Sequence, residues 1–180
     1  MAEPAVAPES ARPRPAAAEA AQAAIAVRAA TTADAELVAR MITHLGAELG
    51  GVPPEKRPEP DPCVLACTRR MLELRGSIYG LLAQLAAVED MPVGVMMVNE
   101  RAAIRAGDLY GKLTELYVHP DWRGRGVASA LIRAAAEMGR ERGWSRLEVG
   151  APATVDAERA RRVFRVNGFT PAGNRLRLSL

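Results

Sequence analysis

The sequence predicts an α/β sandwich, in which helices pack on a mixed, mostly antiparallel central sheet. Strand-like and helical patterns follow one another in the order β-α-α-β-β-β-α-β-α-β. Between residues 113 and 139, a strand pattern is followed by a turn of arginine and glycine and then by a helical pattern. The chain has 180 residues, 49% of them hydrophobic, which is enough to bury one core. We therefore expect a single domain over residues 25–180.

The first elements are a strand and a helix that follow an N-terminal tail. Residues 1–24 are rich in alanine, proline and glutamate and lack a sustained apolar period, which predicts disorder. Residues 25–28 have a strand pattern. A helix that begins after a cap at Thr32 or Asp34 is then expected to run to about Leu49.

The middle of the chain combines a proline-rich loop, a second helix and a hairpin. Prolines exclude regular helix or central strand from residues 50–62. Asp61 and Pro62 favour the start of a helix, as a cap and a first-turn residue. Residues 77–88 and 93–99 are apolar runs separated by a short polar stretch, which predicts a β-hairpin.

The remaining stretches complete the alternation. Residues 100–112 are expected to form a second loop, with one helical turn at residues 102–104. Residues 146–149 predict a short strand, and residues 156–167 predict a helix. Residues 169–180 end in a period-two pattern, which predicts a last strand.

The stretch after residue 112 is typical of an anion-binding unit. The strand of residues 113–119 stops at Pro120, and apolar residues recur at helical spacing from Val127 onward. The glycines of the intervening turn, residues 123–126, allow the backbone to approach a ligand closely. The first N–H groups of the helix are unpaired and lie at the positive end of its dipole. Such a turn favours phosphate, and the arginines strengthen it.

This unit resembles the pyrophosphate loop of the GNAT family of acyl-CoA-dependent N-acetyltransferases. The residues YVHPDW precede Arg123-Gly124-Arg125-Gly126-Val127-Ala128, and a strand, a helix and Asn167-Gly168-Phe169 follow in the family's order. The resemblance implies a sheet splayed between its fourth and fifth strands, with acetyl-CoA as co-substrate and no metal. It implies that the coenzyme contacts Leu116, Tyr117, Val118, Arg123, Gly124, Arg125, Gly126, Val127, Ala128 and Ser129.

The same resemblance implies direct transfer of an acetyl group to a primary amine of a small molecule or a protein. Such a transfer needs a base for the amine and a donor for the developing oxyanion. The backbone N–H of Val118 is the candidate donor. Glu115 and Glu148 are the candidate bases, while Lys112 occupies the position that carries the base in some relatives. His119 precedes a proline and is interpreted as a turn residue.

The candidate acid departs from the family pattern. Phe164 stands where many members have a tyrosine that protonates the departing sulfur, and phenylalanine has no proton to donate. Tyr79, Tyr110 and Tyr117 are candidates to replace that tyrosine. The coenzyme-contacting asparagine before the last helix is missing too, with Thr154 or Asp156 nearby. Phe164 therefore leaves open a second function, a non-catalytic acyl-CoA-binding or sensor module.

The distribution of charge favours a polyanionic small ligand. Residues 121–180 contain twelve arginines and six acidic residues, although the net charge of the chain is only +3. Aromatic residues make up 4% of the chain and are not interleaved with the arginines, which disfavours nucleic-acid binding. A dinucleotide-binding fingerprint is not completed, because Ser129 stands where its third glycine is required. The remaining expected partner is the amine acceptor, and a homodimer stays open.

The remaining signals concern location and the less common side chains. The N-terminus lacks the pattern of a signal peptide and no apolar run is long enough for a membrane span, so a cytoplasmic protein is expected. Cys63 and Cys67 are interpreted as reduced thiols, because too few further ligands exist for zinc. Trp122 and Trp144 are interpreted as packing residues.

Overall fold

The computed structural model describes residues 25–74, 76–85, 92–150 and 157–172. In these residues five strands form one sheet whose spatial order is the order of the sequence. The strands are β1 (Ile25–Ala29), β2 (Ile78–Leu85), β3 (Pro92–Ala103), β4 (Asp108–Val118) and β5 (Leu147–Val149). Neighbouring strands are antiparallel except β4 and β5, which are parallel. The predicted mixed, mostly antiparallel sheet is confirmed. The predicted tail and the period-two strand after residue 172 lie outside the described residues.

Helices cover both faces of the sheet, so the fold has three layers. The helices are α1 (Ala35–Leu49), α2 (Pro62–Glu73), α3 (Val127–Glu141) and α4 (Ala157–Val166). Side chains of the central strand β3 alternate between two cores. Val95 and Met97 pack with α1 and α2, whereas Met96 and Val98 pack with α3 and with Phe164 of α4. Among the described residues, no helix is both long and apolar enough to cross a membrane.

Local side-chain signals fix the starts of the first two helices. The Asp61 carboxylate accepts the backbone N–H of Cys63 at 2.7 Å, and Pro62 occupies the first helical position, as predicted. Asp34 lies just before α1, at the end of a 3₁₀ turn, but its side chain makes no capping hydrogen bond to α1. Its carboxylate accepts the N–H of Thr31 and two hydrogen bonds from the Arg28 guanidinium, at 2.8 and 2.6 Å. Asp34 therefore ties the start of α1 to β1.

The expected loop at residues 100–112 is wrong, because β3 and β4 continue through it as a long hairpin. Arg101 pairs with Tyr110 across the two strands, and only residues 104–107 form the turn. The end of β3 is held from outside the hairpin, since the indole N–H of Trp144 donates to the Glu100 carboxylate at 2.6 Å. The sequence predicted a loop, but pairing between β3 and β4 supplies the hydrogen bonds that make these residues an arm of the sheet.

The fourth and fifth strands separate midway along β4. Their pairing ends at Leu113 opposite Val149, while β4 continues to Val118. At the same level Thr114 has no partner on β3, since Val98 pairs with Leu113 and Met97 with Glu115. Such an extra residue is a β-bulge, which bends and twists its strand. The implied splay between these strands is thus present, with a bulge at its origin.

Candidate functional site

A cleft of about 580 Å³ lies where β4 leaves β5. One wall is β4 from Leu113 to Val118, and the other is the inner side of α4 with Val149 and Gly150. The N-terminus of α3, the turn before it and the C-terminal end of α1 complete the lining. Of the ten residues implied to contact coenzyme, nine line this cleft: Leu116, Tyr117, Val118, Arg123, Gly124, Gly126, Val127, Ala128 and Ser129.

The bulge determines which backbone groups β4 presents to the cleft. The N–H of Gly111 donates to the carbonyl of Arg146, on the β5 side, whereas the N–H of His119 donates to Val93 of β3. In a regular strand the N–H groups of residues eight apart point to the same neighbouring strand. The N–H groups of Gly111 and His119 point to opposite neighbours because of the extra residue at position 114. By alternation with His119, the N–H groups of Leu116 and Val118 face the edge that β5 has left.

The turn and the start of α3 contribute a second set of donors. Gly124 and Gly126 have φ angles of +75° and +86°, which L side chains rarely adopt. The first α-helical hydrogen bond runs from Ala130 N to Gly126 O, so the N–H groups of residues 127–129 have no partner within the helix. The side-chain amide of Asn167 donates to Ser129 Oγ at 3.0 Å and links the end of α4 to this turn.

A network of ion pairs fixes the Arg123 side chain. Its Nη2 lies 2.6 Å from Glu48 Oε2, and its Nε donates to the Val118 carbonyl at 2.9 Å. The same Glu48 oxygen accepts Arg57 Nη2 at 3.0 Å, and Arg57 Nη1 donates to the Tyr117 hydroxyl at 3.1 Å. The network thus joins α1, the loop after it, β4 and the turn.

Charges in this network control the ionisation of its members. Burial disfavours the charged form of Glu48, but the hydrogen bond and charge of Arg123, with the charges of Arg57 and Arg159, outweigh burial and lower the pKa of Glu48. Burial raises the pKa of the Tyr117 phenol despite the nearby guanidinium groups of Arg57 and Arg123. At neutral pH Glu48 is therefore an anion and Tyr117 a neutral phenol.

The two candidate bases occupy different places. Glu115 lines the cleft, and its carboxylate accepts a hydrogen bond from the Thr114 hydroxyl. It precedes Tyr117 by two residues, so both side chains lie on the sheet face that α1 and α2 cover. Glu148 does not line the cleft, and Arg146 Nε donates to its carboxylate at 2.9 Å. The structure therefore brings only Glu115 to the implied coenzyme-contacting residues.

The candidate acids also differ in whether they line the cleft. Phe164 lines the cleft and packs edge-on against Phe169, with ring centroids 5.4 Å apart. Of the three tyrosines only Tyr117 lines the cleft, and its hydroxyl accepts from Arg57. Tyr79 stacks under Arg142 and Tyr110 under Arg146. Thr154 and Asp156, the residues near the place of the missing asparagine, lie outside the described residues.

Several further residues lie elsewhere. Arg125 does not line the cleft, and its guanidinium stacks on the Trp122 ring at 4.8 Å. His119 is exposed and lies 3.7 Å from the Asp121 carboxylate. Both tryptophans pack against the core on the α3 side, as expected. The two cysteines are free, exposed thiols on α2, and the described residues hold no group of three or more metal-ligating side chains.

Sequence reasoning missed the part of the cleft that comes from distant elements. Leu45, Glu48 and Leu49 belong to α1, and Arg159 belongs to α4. Helical spacing indicated the buried side of α1. It gave no sign that Glu48, at the end of α1, contacts Arg123 of the glycine turn, 75 residues later. No motif identified Glu48 or Arg159, because their placement depends on how α1 and α4 pack on the sheet.

Comparison with known proteins identifies this arrangement. Residues 52–169 match the acetyltransferase (GNAT) family. The chain belongs to the GNAT acetyltransferase family. The match spans the loop after α1, the hairpin, the turn and α4, and so includes most of the cleft. The enzyme is therefore an N-acetyltransferase of a family that uses acetyl-CoA. A comparison with curated protein sequences finds no match.

Solved structures of similar fold include several acetyltransferases. A ribosomal-protein-alanine N-acetyltransferase from Brucella melitensis biovar Abortus 2308 is 24% identical, with a TM-score of 0.67, over 87% of this chain and 99% of that one. An aminoglycoside acetyltransferase from an uncultured soil metagenomic sample, in complex with sisomicin, is 18% identical, with a TM-score of 0.68, over 88% and 97%. AAC(6')-Iy in complex with a bisubstrate analog of CoA is 18% identical, with a TM-score of 0.65, over 87% and 97%. These likenesses support the GNAT fold.

Proposed function

We propose that this GNAT enzyme transfers the acetyl group of acetyl-CoA directly to a primary amine of a small molecule or a protein. The observation that supports this most is the convergence of two donor sets in one cleft: the N–H groups at the start of α3 and those of Leu116 and Val118 on the open edge of β4. The first set suits a diphosphate and the second an extended amide-bearing arm.

The residues present fit a coenzyme of this kind. Gly124 and Gly126 leave the backbone of the turn uncovered, and the Ser129 hydroxyl, held by Asn167, lies beside the free N–H groups. Among the described residues, the β4 edge toward β5 is unpaired beyond Leu113, so it can pair with the pantetheine arm. Acetyl-CoA bound here supplies the reactive thioester, and the chain supplies its position.

Two groups of β4 act on the reacting atoms. The N–H of Val118 stabilises the carbonyl oxygen as it becomes negative. Glu115, on the sheet face that α1 and α2 cover, takes a proton from the acceptor's ammonium group and so frees the lone pair of its nitrogen. The neutral amine nitrogen then forms the new C–N bond as the C–S bond breaks, and the nitrogen releases its second proton to solvent. Because Phe164 has no proton to donate, the sulfur leaves as a thiolate or takes a proton from water.

The acceptor class is proposed from similar proteins. One neighbour is named for a ribosomal-protein alanine and another holds the aminoglycoside sisomicin, and both are amine acceptors. The acceptor face is proposed beside α1, α2 and the loop of residues 50–62, where Glu55, Glu59 and Asp61 are accompanied by Lys56 and Arg57. These residues form no acidic cluster that would favour a polycation.

The test is CoA binding by calorimetry, followed by thiol release from acetyl-CoA with an amine panel. The panel contains a peptide with an N-terminal alanine, an aminoglycoside and a simple alkyl amine. Binding together with amine-dependent thiol release is expected. Binding without release on any acceptor favours the sensor function that Phe164 leaves open, and no binding removes the proposal.

The role of Glu115 predicts a change in turnover alone. Glu115→Gln is expected to lower kcat by about 100-fold, since general-base catalysis contributes on the order of 10²–10⁴. Its Kd for CoA stays unchanged, because the carboxylate contacts Thr114 and not the turn. Glu148→Gln is the matched control and keeps most of the activity. Full activity of Glu115→Gln across the pH range would exclude Glu115 as the base.

A further inference from the structure

Four charged side chains line the cleft, and they differ in the sign of their charge and in the contacts that they make. They are Glu48, Glu115, Arg123 and Arg159. The two carboxylates repel phosphate, so only the two arginines can add side-chain charge to the N–H groups of the turn. Which arginine does so is decided by the contacts that each already makes.

Arg123 is committed to the protein. Its Nη2 is 2.6 Å from Glu48 Oε2, and its Nε donates to the Val118 carbonyl. The Glu48 anion, which it shares with Arg57, also offsets part of the positive charge, and its lowered pKa keeps it ionised at neutral pH. A phosphate that approaches Arg123 therefore meets a guanidinium already paired with an anion. Arg123 anchors the turn between β4 and α1.

Arg159 is in the opposite situation. It is exposed and lines the cleft from the first turn of α4, and it forms no hydrogen bond or ion pair with any described residue. Its neighbours differ, because Arg161 and Arg165 both pair with Glu158. The charge of Arg159 contributes to the lowered pKa of Glu48, which contacts the turn through Arg123. Arg159 and the turn thus line the same cleft.

We infer that Arg159 is the side chain that binds a phosphate group of the coenzyme, while Arg123 holds the turn in place. The inference rests on the proposed function. Arg159 is free to orient its planar donors toward phosphate oxygens, and its exposure gives a phosphate access from solvent. The coenzyme offers two such groups, the diphosphate and the phosphate on its ribose.

The test compares Arg159→Gln with Arg162→Gln, a control on the same helix that is exposed and outside the cleft. Binding of CoA and of dephospho-CoA is measured by calorimetry at low and at physiological salt. Arg159→Gln is expected to weaken CoA binding by about tenfold. This effect is at the low end of the range for charge-assisted hydrogen bonds, because the site is exposed. The loss shrinks as salt rises. Arg159→Lys keeps the charge and recovers part of the affinity.

The two coenzymes identify the phosphate that is bound. An equal loss with CoA and dephospho-CoA assigns Arg159 to the diphosphate, and a loss confined to CoA assigns it to the ribose phosphate. Unchanged Kd values in Arg159→Gln, or the same loss in Arg162→Gln, would overturn the inference while wild-type binding leaves the proposed function intact. A wild-type protein that binds neither coenzyme would remove both.

Discussion

Thr114 is a single residue that decides which atoms β4 offers to the cleft. It has no partner on β3, and the pairing of β4 with β5 ends one residue before it. If β4 alternated regularly from Gly111 through Thr114, the N–H groups of Leu116 and Val118 would point toward β3. The candidate oxyanion donor therefore depends on a backbone irregularity that no side-chain motif encodes.

Asp34 shows how one carboxylate fixes the entry to a helix. Hydrogen bonds from Arg28 are the main cause that lowers its pKa to about 2, against an ordinary value of 3.8, with burial opposing and Thr31 adding to the effect. Such a group stabilises the fold above its ordinary pKa, and that contribution is lost as the pH falls through about 2.

Asp34→Asn is expected to lower the free energy of unfolding by about 1–2 kcal/mol at pH 7, with the pKa shift discounted because Arg28 is 40% exposed. Urea unfolding at pH 7 and at pH 3 measures the difference, which is smaller at the lower pH. Glu59→Gln removes an exposed bridge to Arg40 and is expected to change stability little. Equal effects of the two substitutions would contradict this assignment.

At the scale of elements, β4, the turn and α3 act as one unit. The backbone conformation of the turn determines where the first N–H groups of α3 lie. Gly126 begins α3 with a φ of +86°, so its conformation aims the following N–H groups into the cleft. The hydrophobic residues that follow, Val127, Leu131 and Ala135, are buried against the sheet. Burial on one side thus fixes the helix whose N-terminus lines the cleft.

Gly126→Ala is expected to weaken CoA binding by about tenfold, because a Cβ at positive φ costs on the order of 1–2 kcal/mol and the turn relaxes away from the productive conformation. Gly107→Ala is a close control, since Gly107 has a φ of +69° and lies in the turn between β3 and β4. It is expected to lower the melting temperature similarly while the Kd for CoA stays unchanged. Parallel losses of affinity in both variants would count against the proposed cradle.

At the scale of the whole molecule, Glu48 joins parts of the chain that are remote in sequence. Its Oε2 accepts from Arg57 and from Arg123, which lie 9 and 75 residues away. Arg57 is only 8% exposed, so its guanidinium depends on this carboxylate for charge compensation. The loop after α1 and the turn before α3 are therefore held by one group.

Glu48→Gln is expected to lower the free energy of unfolding by about 1–3 kcal/mol at pH 7, because it leaves the buried Arg57 without a counter-charge. Since the pKa of Glu48 is lowered, the difference from wild type is complete above about pH 4.5 and shrinks as the pH falls through the lowered value. Denaturant titrations at several pH values measure it. Glu55→Gln, a change in charge on the loop that carries Arg57, is the control, and a pH-independent difference would refute the coupling.

The sequence by itself determined the features that depend on neighbouring residues. The glycine turn at 123–126, the helical spacing after it and the cap at Asp61 are local, since backbone conformation and amphipathic period are set within a few positions. With the resemblance that they carry, these features were sufficient to predict the sheet and the family. Nine of the ten residues expected to contact the coenzyme line the cleft, because they belong to this one local unit.

Only the tertiary structure decided the features that depend on packing between distant segments. The arm of residues 100–112 is strand because β3 and β4 pair and Trp144 holds Glu100, although its side chains resemble those of a loop. The places of Glu48 and Arg159 in the cleft follow from how α1 and α4 lie on the sheet. Strand pairing and ion pairs between residues far apart in sequence leave no periodic signal in the chain. They are therefore seen only in the tertiary structure.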